Sequence, residues 1–204
     1  MSREIPVWPF VAAMATVVAA SNYLVQFPFE HFGVEDVLTW GAFTYPVAFL
    51  VTDLTNRNYG PAAARKVVYA GFAIAVAASV WLATPRIAIA SGTAFLAAQL
   101  LDVFIFDRLR RRVWWQAPFI STVIGSLLDT VLFFSLAFAA RFAVLDTAFG
   151  HEDGSLPFPA AFLGLDVPLW VSLALGDLSV KLTIGALMLM PYGALINVLR
   201  PVRA

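Results

Sequence analysis

The sequence predicts an all-α, polytopic membrane protein. Of its 204 residues, 61% are hydrophobic and only 13% are charged, whereas a soluble domain carries roughly 25% charged residues. The apolar residues also occur in long runs, and a run of about 20 is the length that a helix needs to cross the hydrocarbon core. Composition and run length together favour a single transmembrane domain over residues 1–204.

Six apolar segments are candidate spanning helices. They cover residues 8–27, 38–55, 61–82, 87–106, 117–139 and 168–190. The second contains Gly41 and Pro46, so a broken or partly re-entrant helix is as compatible with it as a continuous one. The longest connection, residues 142–167, is rich in Gly and Pro and is expected outside the membrane, either as a lid or as a partly ordered loop.

Basic residues are distributed unequally between the two sides of the predicted bundle. Two of them, Arg86 and Arg141, fall on one side, and ten fall on the side that holds both chain ends. The ten are Arg3, Arg57, Arg65, Lys66, Arg108, Arg110, Arg111, Arg112, Arg200 and Arg203. Because cytoplasmic connections are enriched in Lys and Arg, this asymmetry predicts six crossings with both termini in the cytoplasm.

Several polar side chains fall inside the predicted helices, where a charge costs roughly 2.5–3.5 kcal/mol on insertion scales. The ionisable ones are Asp53, Asp102, Asp129, Asp177 and Lys181, and Gln99 and Asn22 are uncharged companions. Residues of this kind usually face a bundle interior or a cavity. They are therefore the strongest indicators of function that the chain offers.

Two of these carboxyl groups, Asp129 and Asp177, lie near the middle of their helices. Asp177 and Lys181 are four residues apart, so they share a helix face and are expected to pair. That pair is either a structural device or part of a substrate site. Asp129 has no basic residue three or four positions away, so it requires a partner from another helix, a proton or a ligand. We expect Asp129, Asp177, Lys181, Gln99 and Asn22 to bind substrate.

The other acidic residues lie nearer the cytoplasmic ends of their helices. Asp53 precedes Arg57 by four residues, and Asp102 precedes Arg108 by about a turn and a half. These spacings predict gating or structural pairs at least as readily as substrate contacts. Arg86, on the external side, is assigned to the same gating or structural group.

Aromatic residues cluster at the outer end of the second segment. Trp40, Phe43 and Tyr45 surround Gly41 there. The cluster predicts either a stacking surface for a flat heteroaromatic ligand or an ordinary interfacial belt.

Small residues form a stripe on the first helix at Ala12, Thr16 and Ala20. Such a stripe permits close helix packing. The partner is either another helix of the same chain, a second copy in a homodimer, or a coupling subunit.

Motifs for enzymatic chemistry are missing from the sequence. It has no Gly-rich Lys-Ser/Thr phosphate loop and no cysteine. Both histidines, His31 and His151, fall in external connections, so a base beside a membrane-depth serine and a His/carboxylate metal cluster are lacking. A net charge of zero gives no bulk attraction to nucleic acid. The chain is expected to be a carrier or binding subunit without metal or cofactor.

Short motifs run through nearly the whole chain in a fixed order. They are SNYLVQFP (21–28), TWGAFTYPVAFLVTDLTNRNYG (39–60), ARK (64–66), RIAIAS (86–91), AQLLDVFIFDRLR (98–110), WW (114–115), GDLSVK (176–181) and PYG (191–193), with Ser121, Thr122, Gly125 and Asp129 between them. In this order and spacing they resemble the queuosine precursor transporter family, also called the vitamin uptake transporter family. The resemblance is weakest over residues 142–167. Ser126 departs from it, since we expect an amide there.

The resemblance implies a six-helix fold similar to the substrate-binding subunits of energy-coupling-factor transporters. It implies a solitary carrier or facilitator in the bacterial inner membrane. Its substrates would be 7-deazaguanine precursors of the tRNA base queuosine, in the nitrile or aminomethyl form, or queuine. The alternative is the substrate-binding subunit of an ATP-driven vitamin or nucleobase importer. A guanine-like edge suits a carboxylate that accepts two N–H groups, as Asp129 or Asp177 can, and an amide such as Gln99.

Overall fold

The computed structural model describes residues 6–30, 38–162 and 165–198, which form a bundle of α-helices with one short β-hairpin. The helices are α1 (Trp8–Leu24), α2 (Trp40–Thr44), α3 (Val47–Tyr59), α4 (Pro61–Leu82), α5 (Pro85–Leu109), α6 (Gln116–Phe138), α7 (Val144–Thr147), α8 (Leu169–Leu187) and α9 (Leu189–Val198). The predicted basic residues Arg3, Arg200 and Arg203 and the external His31 lie outside the described residues.

Four of the described helical stretches are long and apolar enough to cross a membrane: α4, α5, α6 and the run Leu169–Ile196 formed by α8 and α9. Helix α1 is apolar but has 17 residues. The prediction of an all-α polytopic membrane protein is therefore confirmed, while the number of crossings stays a prediction. The hairpin, an antiparallel pair of β1 (Pro159–Phe162) and β2 (Leu165–Pro168), was not predicted.

The second predicted segment is a broken helix. Helix α2 ends at Thr44 and α3 begins at Val47, with Tyr45 and Pro46 between them. Proline has no backbone N–H to continue the helical ladder, and the Ala48 amide instead donates to the Tyr45 carbonyl at 3.0 Å. The break places the side chain of Tyr45 at the level where the bundle opens into a cavity.

Local sequence signals define the next two helix starts. Gly60 has φ +81°, a conformation that favours glycine, and it separates α3 from α4. Both α4 and α5 begin with a proline, which needs no hydrogen-bond acceptor at that position. The Thr84 hydroxyl also accepts a hydrogen bond from the Ile87 amide at 3.4 Å, which caps α5.

The helices surround a central broken element. Helices α1, α4, α5, α6 and α8 are neighbours in that order, α3 packs against α1, α4, α5 and α9, and α2 lies between α1 and α8. A Cβ added to Gly125 of α6 would lie 2.7 Å from the Phe49 ring of α3, so these helices approach closely. A Cβ on Gly71 of α4 would likewise meet Met14 at 2.7 Å.

Arg86 fastens the long external connection to the bundle. It is 1% exposed, and its Nη1 lies 2.6 Å from a carboxylate oxygen of Asp146 and 3.1 Å from the Ser155 hydroxyl. Its Nε and Nη2 donate to the carbonyls of Leu136 and Ala139, at 2.9 and 2.8 Å. Since a buried guanidinium requires such partners, Arg86 ties residues 144–155 to the ends of α5 and α6.

Asp153 is a second, more exposed partner of Arg86 at 3.4 Å. Hydrogen bonds from the side chain and backbone of Ser155 lower the pKa of Asp153 below its usual value, and the nearby Arg86 charge acts in the same direction. The described part of the connection is thus an anchored structure.

Basic residues gather at the opposite end of the bundle from Arg86. The Arg57 guanidinium at the end of α3 donates to the carbonyl of Arg110, just after α5. Arg65 and Lys66 are exposed in the first turns of α4, beside the same end. The described basic residues are therefore segregated as the sequence predicts.

Candidate functional site

A cavity of about 500 Å³ lies between the helices, within the usual volume range of small-molecule sites. Its wall includes Leu82 and Ala83 at the end of α4 and Ile87 at the start of α5. It therefore extends from the middle of the bundle to the end that carries Arg86. The hydroxyls of Ser21 and Ser91 and the amide of Asn22 add polar groups to an otherwise apolar wall.

Aromatic rings form much of the upper wall. Phe95 of α5 and Phe133, Phe134 and Phe138 of α6 line the cavity. Phe133 and Phe134 contact each other edge to face with 5.0 Å between centroids. The sequence predictions missed these residues, although three of them follow Asp129 on the same helix. A planar ligand in the cavity would be bounded by ring faces and edges.

An ion cluster of Asp129, Asp177 and Lys181 forms the polar floor of the cavity. The Lys181 Nζ lies 2.7 Å from Asp129 Oδ2 and 2.5 Å from Asp177 Oδ2. The i, i+4 pair that the sequence predicts is present, and the partner that Asp129 requires is Lys181 of another helix. Lys181 is 4% exposed, so its charge is compensated almost entirely by these two carboxylates.

The floor offers negative charge to the cavity. With two carboxylates and one ammonium ionised, one negative charge is uncompensated. Asp177 accepts from the Thr130 hydroxyl through Oδ2 at 3.0 Å, and its Oδ1 has no hydrogen-bond partner among the described residues. Because the Asp177 side chain is 13% exposed and lines the cavity, this oxygen is available to a ligand donor.

Tyr45 joins the floor from the break between α2 and α3. Its hydroxyl donates to Asp129 Oδ1 at 3.2 Å, and Lys181 Nζ lies 5.3 Å from its ring centroid. The ring also meets Phe95 edge to face at 6.1 Å. Of the three predicted stacking aromatics, Tyr45 lines the cavity.

Trp40 and Phe43 lie outside the cavity, and their role in ligand stacking stays a prediction. Both rings pack against Phe29, with 4.8 Å between centroids in each case, and Trp40 is 42% exposed. This outer aromatic group is compatible with the interfacial belt that the sequence analysis gives as the other interpretation.

The two predicted amides occupy different places. Asn22 lines the cavity, with Nδ2 donating to the Val18 carbonyl at 2.9 Å. Gln99 does not line it: it is fully buried, and its Oε1 accepts from the Thr52 hydroxyl at 2.6 Å between α3 and α5. Gln99 thus lies outside the cavity wall in this structure, and its role in substrate binding stays a prediction.

The predicted ion pairs near the cytoplasmic end are wrong. Arg57 donates to a backbone carbonyl, and the Arg108 guanidinium lies 4.8 Å from the Phe104 ring centroid. Asp53 instead accepts from the Ser121 hydroxyl at 3.4 Å, and Asp102 lies beside Asp53. Each aspartate has an arginine close to it in the sequence. The arginine side chains, however, extend toward the end of the bundle and do not reach the aspartates.

Metal binding has no support within the described part of the chain. It contains no group of three or more His, Cys, Asp or Glu side chains that could hold an ion. The four aspartates predicted at membrane depth are divided between the cavity floor, which has Asp129 and Asp177, and the Asp53–Asp102 pair.

A multi-pass helical bundle with a ligand-sized cavity and a charged mid-membrane floor defines the class of membrane transport proteins. A family model described as "Putative vitamin uptake transporter" matches residues 39–84 and 77–195. The chain belongs to this vitamin uptake transporter family, which is a family of transporters and not of enzymes.

Curated relatives agree with that assignment. The chain is 36% identical to the "Queuosine precursor transporter" of Escherichia coli over 90% of this chain and 83% of the relative. It is 34% identical, with the same coverage of both chains, to the "Probable queuosine precursor transporter" of Haemophilus influenzae. A Bacillus subtilis protein with that description is 32% identical over 61% of this chain and 65% of the relative. No solved structure matches the chain significantly.

Proposed function

We propose that this protein imports 7-deazaguanine precursors of queuosine across the bacterial inner membrane and that the cavity is the substrate site. The observation that carries the proposal is the floor of Asp129, Asp177, Lys181 and Tyr45 beneath an aromatic wall. The names of the relatives support the substrate class.

The donor pattern of the substrate suits this floor. A guanine-like edge presents adjacent N–H donors, and the Asp177 carboxylate in the cavity wall would accept from it. The uncompensated negative charge favours an aminomethyl substituent, which is cationic at neutral pH. Lys181 orients both carboxylates through its ion pairs, and Phe95 and Phe133 bound the plane of the heterocycle.

The cavity geometry corresponds to one state of an alternating-access cycle. Beneath the floor, Pro46, Leu50, Pro118 and Met188 close the bundle around a void of about 10 Å³. Release toward the basic end would require α3 and the α8–α9 bend to separate from α6. The proposal includes six crossings with both termini at the basic, cytoplasmic end.

A homodimer through α1 remains part of the proposal. Ala12 and Thr16 of the predicted stripe are exposed, and the Thr16 hydroxyl bonds to the Ala12 carbonyl at 3.0 Å. Both side chains are small, and the Thr16 hydroxyl already has a hydrogen-bond partner. Both properties suit close association of helices. Cross-linking at Ala12 in native membranes would test this pairing.

Ligand-induced thermal stabilisation of the detergent-solubilised chain tests the site. Aminomethyl-7-deazaguanine should raise the melting temperature, and adenine, which lacks the guanine donor edge, should not. Asp177→Asn should abolish the shift. Ser179→Ala is the matched control, because Ser179 is exposed on the same helix and bonds only to the Leu175 carbonyl. Equal shifts for Asp177→Asn and the wild-type chain would contradict the site assignment.

A further inference from the structure

A second pair of carboxyl groups lies on the cytoplasmic side of the cavity floor. Asp53 of α3 and Asp102 of α5 are 2% and 0% exposed and interact across the interface of their helices. Asp53 accepts from the Ser121 hydroxyl at 3.4 Å. Neither oxygen of Asp102 has a donor in hydrogen-bonding geometry.

No cation compensates this pair within the described residues. The groups that face it are the hydroxyls of Ser121 and Thr122 from α6, Tyr192 from α9 and, beyond Tyr192, Arg57 of α3. Arg57 is engaged by the Arg110 carbonyl. Two adjacent buried carboxylates without a cation are strongly unfavourable, whereas one shared proton removes a charge and supplies a donor.

A column of polar groups connects the pair to the cavity floor. Thr122, Ser126 and Asp129 are spaced i, i+4 and i+7, so they follow one face of α6. At 1.5 Å per residue this column spans roughly 10 Å. The Ser126 hydroxyl, midway along it, is fully buried and has no hydrogen-bond partner. The column thus contains a hydroxyl that is free to accept and donate.

A small void borders the pair beneath the cavity floor. It has a volume of about 10 Å³, close to the space of a single water, and Asp53, Thr122 and Tyr192 are among its lining residues. The Tyr192 side chain is 1% exposed, and its hydroxyl makes no hydrogen bond within geometric limits. The Tyr192 hydroxyl therefore borders the void next to Asp53, with Arg57 of the basic end nearby.

We propose that Asp53 and Asp102 form a proton-binding site that couples substrate import to inward proton movement. A proton from the cavity bonds to Ser126 or to a water as the O–H proton of that group passes to a carboxylate of the pair, so one O–H bond forms for each one broken and the hydroxyl is restored. The proton on the pair then leaves past the void and Tyr192 to the cytoplasm, which restores the acceptor. This inference rests on the proposed import function and specifies its driving ion.

Proteoliposomes that contain the purified chain and a pH-sensitive dye in the lumen test the coupling. External aminomethyl-7-deazaguanine should acidify the lumen, and an inward proton gradient should raise substrate accumulation by up to about tenfold per pH unit if one proton moves with each molecule. A sodium gradient should have no effect. Asp102→Asn should still show the ligand-induced melting shift but neither acidification nor gradient-driven accumulation. Asp107→Asn is the control, because Asp107 is a half-exposed residue of the same helix that pairs with Arg110.

Infrared difference spectroscopy provides a readout that does not depend on transport. At neutral pH the purified wild-type chain should show a protonated-carboxyl band that Asp102→Asn removes and Asp107→Asn keeps. Absence of the band, or equal accumulation with and without a gradient, would overturn the proton proposal. Absence of both uptake and the melting shift, with the band present, would instead reject the proposed substrate.

Discussion

Two pairs of buried carboxyl groups differ in how their charge is compensated, and the α6 segment from Thr122 to Asp129 that connects them spans roughly 10 Å. Asp129 and Asp177 at the cavity floor share Lys181, at 2.7 and 2.5 Å. Asp53 and Asp102 have hydroxyl neighbours but no cation within ion-pair distance in the described residues. This difference matches the two proposed roles, a fixed charge arrangement for ligand recognition and a mobile charge for proton movement.

The largest effect is expected from removal of the shared cation. Lys181→Met leaves two buried carboxylates uncompensated and should destabilise the fold by about 3–5 kcal/mol. Thermal unfolding in detergent measures this loss, with Lys66→Met as the control because Lys66 is exposed. The double variant Asp129→Asn/Lys181→Met should recover part of the loss, since the two residues interact directly. If Lys181→Met were as stable as the wild type, the account in which Lys181 compensates the charge of the two carboxylates would be refuted.

Asp→Asn substitutions at the cavity floor and in the Asp53–Asp102 pair sharpen the comparison between the two pairs. Asp129→Asn removes a charged acceptor from both Lys181 and Tyr45, and it should cost about 1.5–3 kcal/mol. Asp102→Asn replaces the shared proton with an amide donor beside Asp53, so its stability should stay within about 0.5 kcal/mol of the wild type. Denaturant unfolding of both variants in the same detergent checks the difference. A larger loss of stability for Asp102→Asn than for Asp129→Asn would contradict the distinction between the two pairs.

A smaller effect is expected at the edge of the compensated cluster. Tyr45→Phe keeps the ring over Lys181 but removes the hydroxyl that donates to Asp129, and it should cost about 0.5–1.5 kcal/mol. Tyr23→Phe is the control, since Tyr23 is exposed on α1. Melting curves in the same detergent would detect the difference. Equal stability of the two variants would show that this hydrogen bond contributes nothing.

The smallest effect is expected in the column between the two pairs. The Ser126 hydroxyl is buried without a partner, so Ser126→Ala should leave stability unchanged or raise it slightly. Ser135→Ala removes a hydroxyl that bonds to the Val131 carbonyl. It should therefore be at least as destabilising as Ser126→Ala. Melting temperatures compare the two. A clear loss for Ser126→Ala alone would mean that its hydroxyl is satisfied in the native protein.

The sequence predicts the cavity floor better than its walls. Charges inside apolar helices are rare and costly, so Asp129, Asp177 and Lys181 stand out without a structure. Their pairing across α6 and α8 could not be derived, because it depends on how the helices pack. Hydropathy cannot separate a phenylalanine that faces lipid from one that faces a cavity, and for this reason Phe133 and Phe134 were missed.

Local spacing was misleading at the cytoplasmic end. The i, i+4 rule correctly pairs Asp177 with Lys181, but it also suggests Asp53 with Arg57, which the structure does not form. Lys181 is held in the interior by two carboxylates, whereas Arg57 lies at a helix end where its long side chain reaches a carbonyl of a neighbouring segment. Both residue pairs have the same i, i+4 spacing. The depth of the basic residue within the bundle therefore decides which of them forms an ion pair.

Uptake by liposomes that contain only this chain tests the central claim most directly. Labelled aminomethyl-7-deazaguanine should enter in a saturable manner with the wild-type chain and with Ser179→Ala, and entry should be lost with Asp177→Asn inserted at the same level. Uptake would then require no ATP-hydrolysing partner. Absence of uptake by the correctly inserted wild-type chain, or equal uptake by Asp177→Asn, would contradict the account.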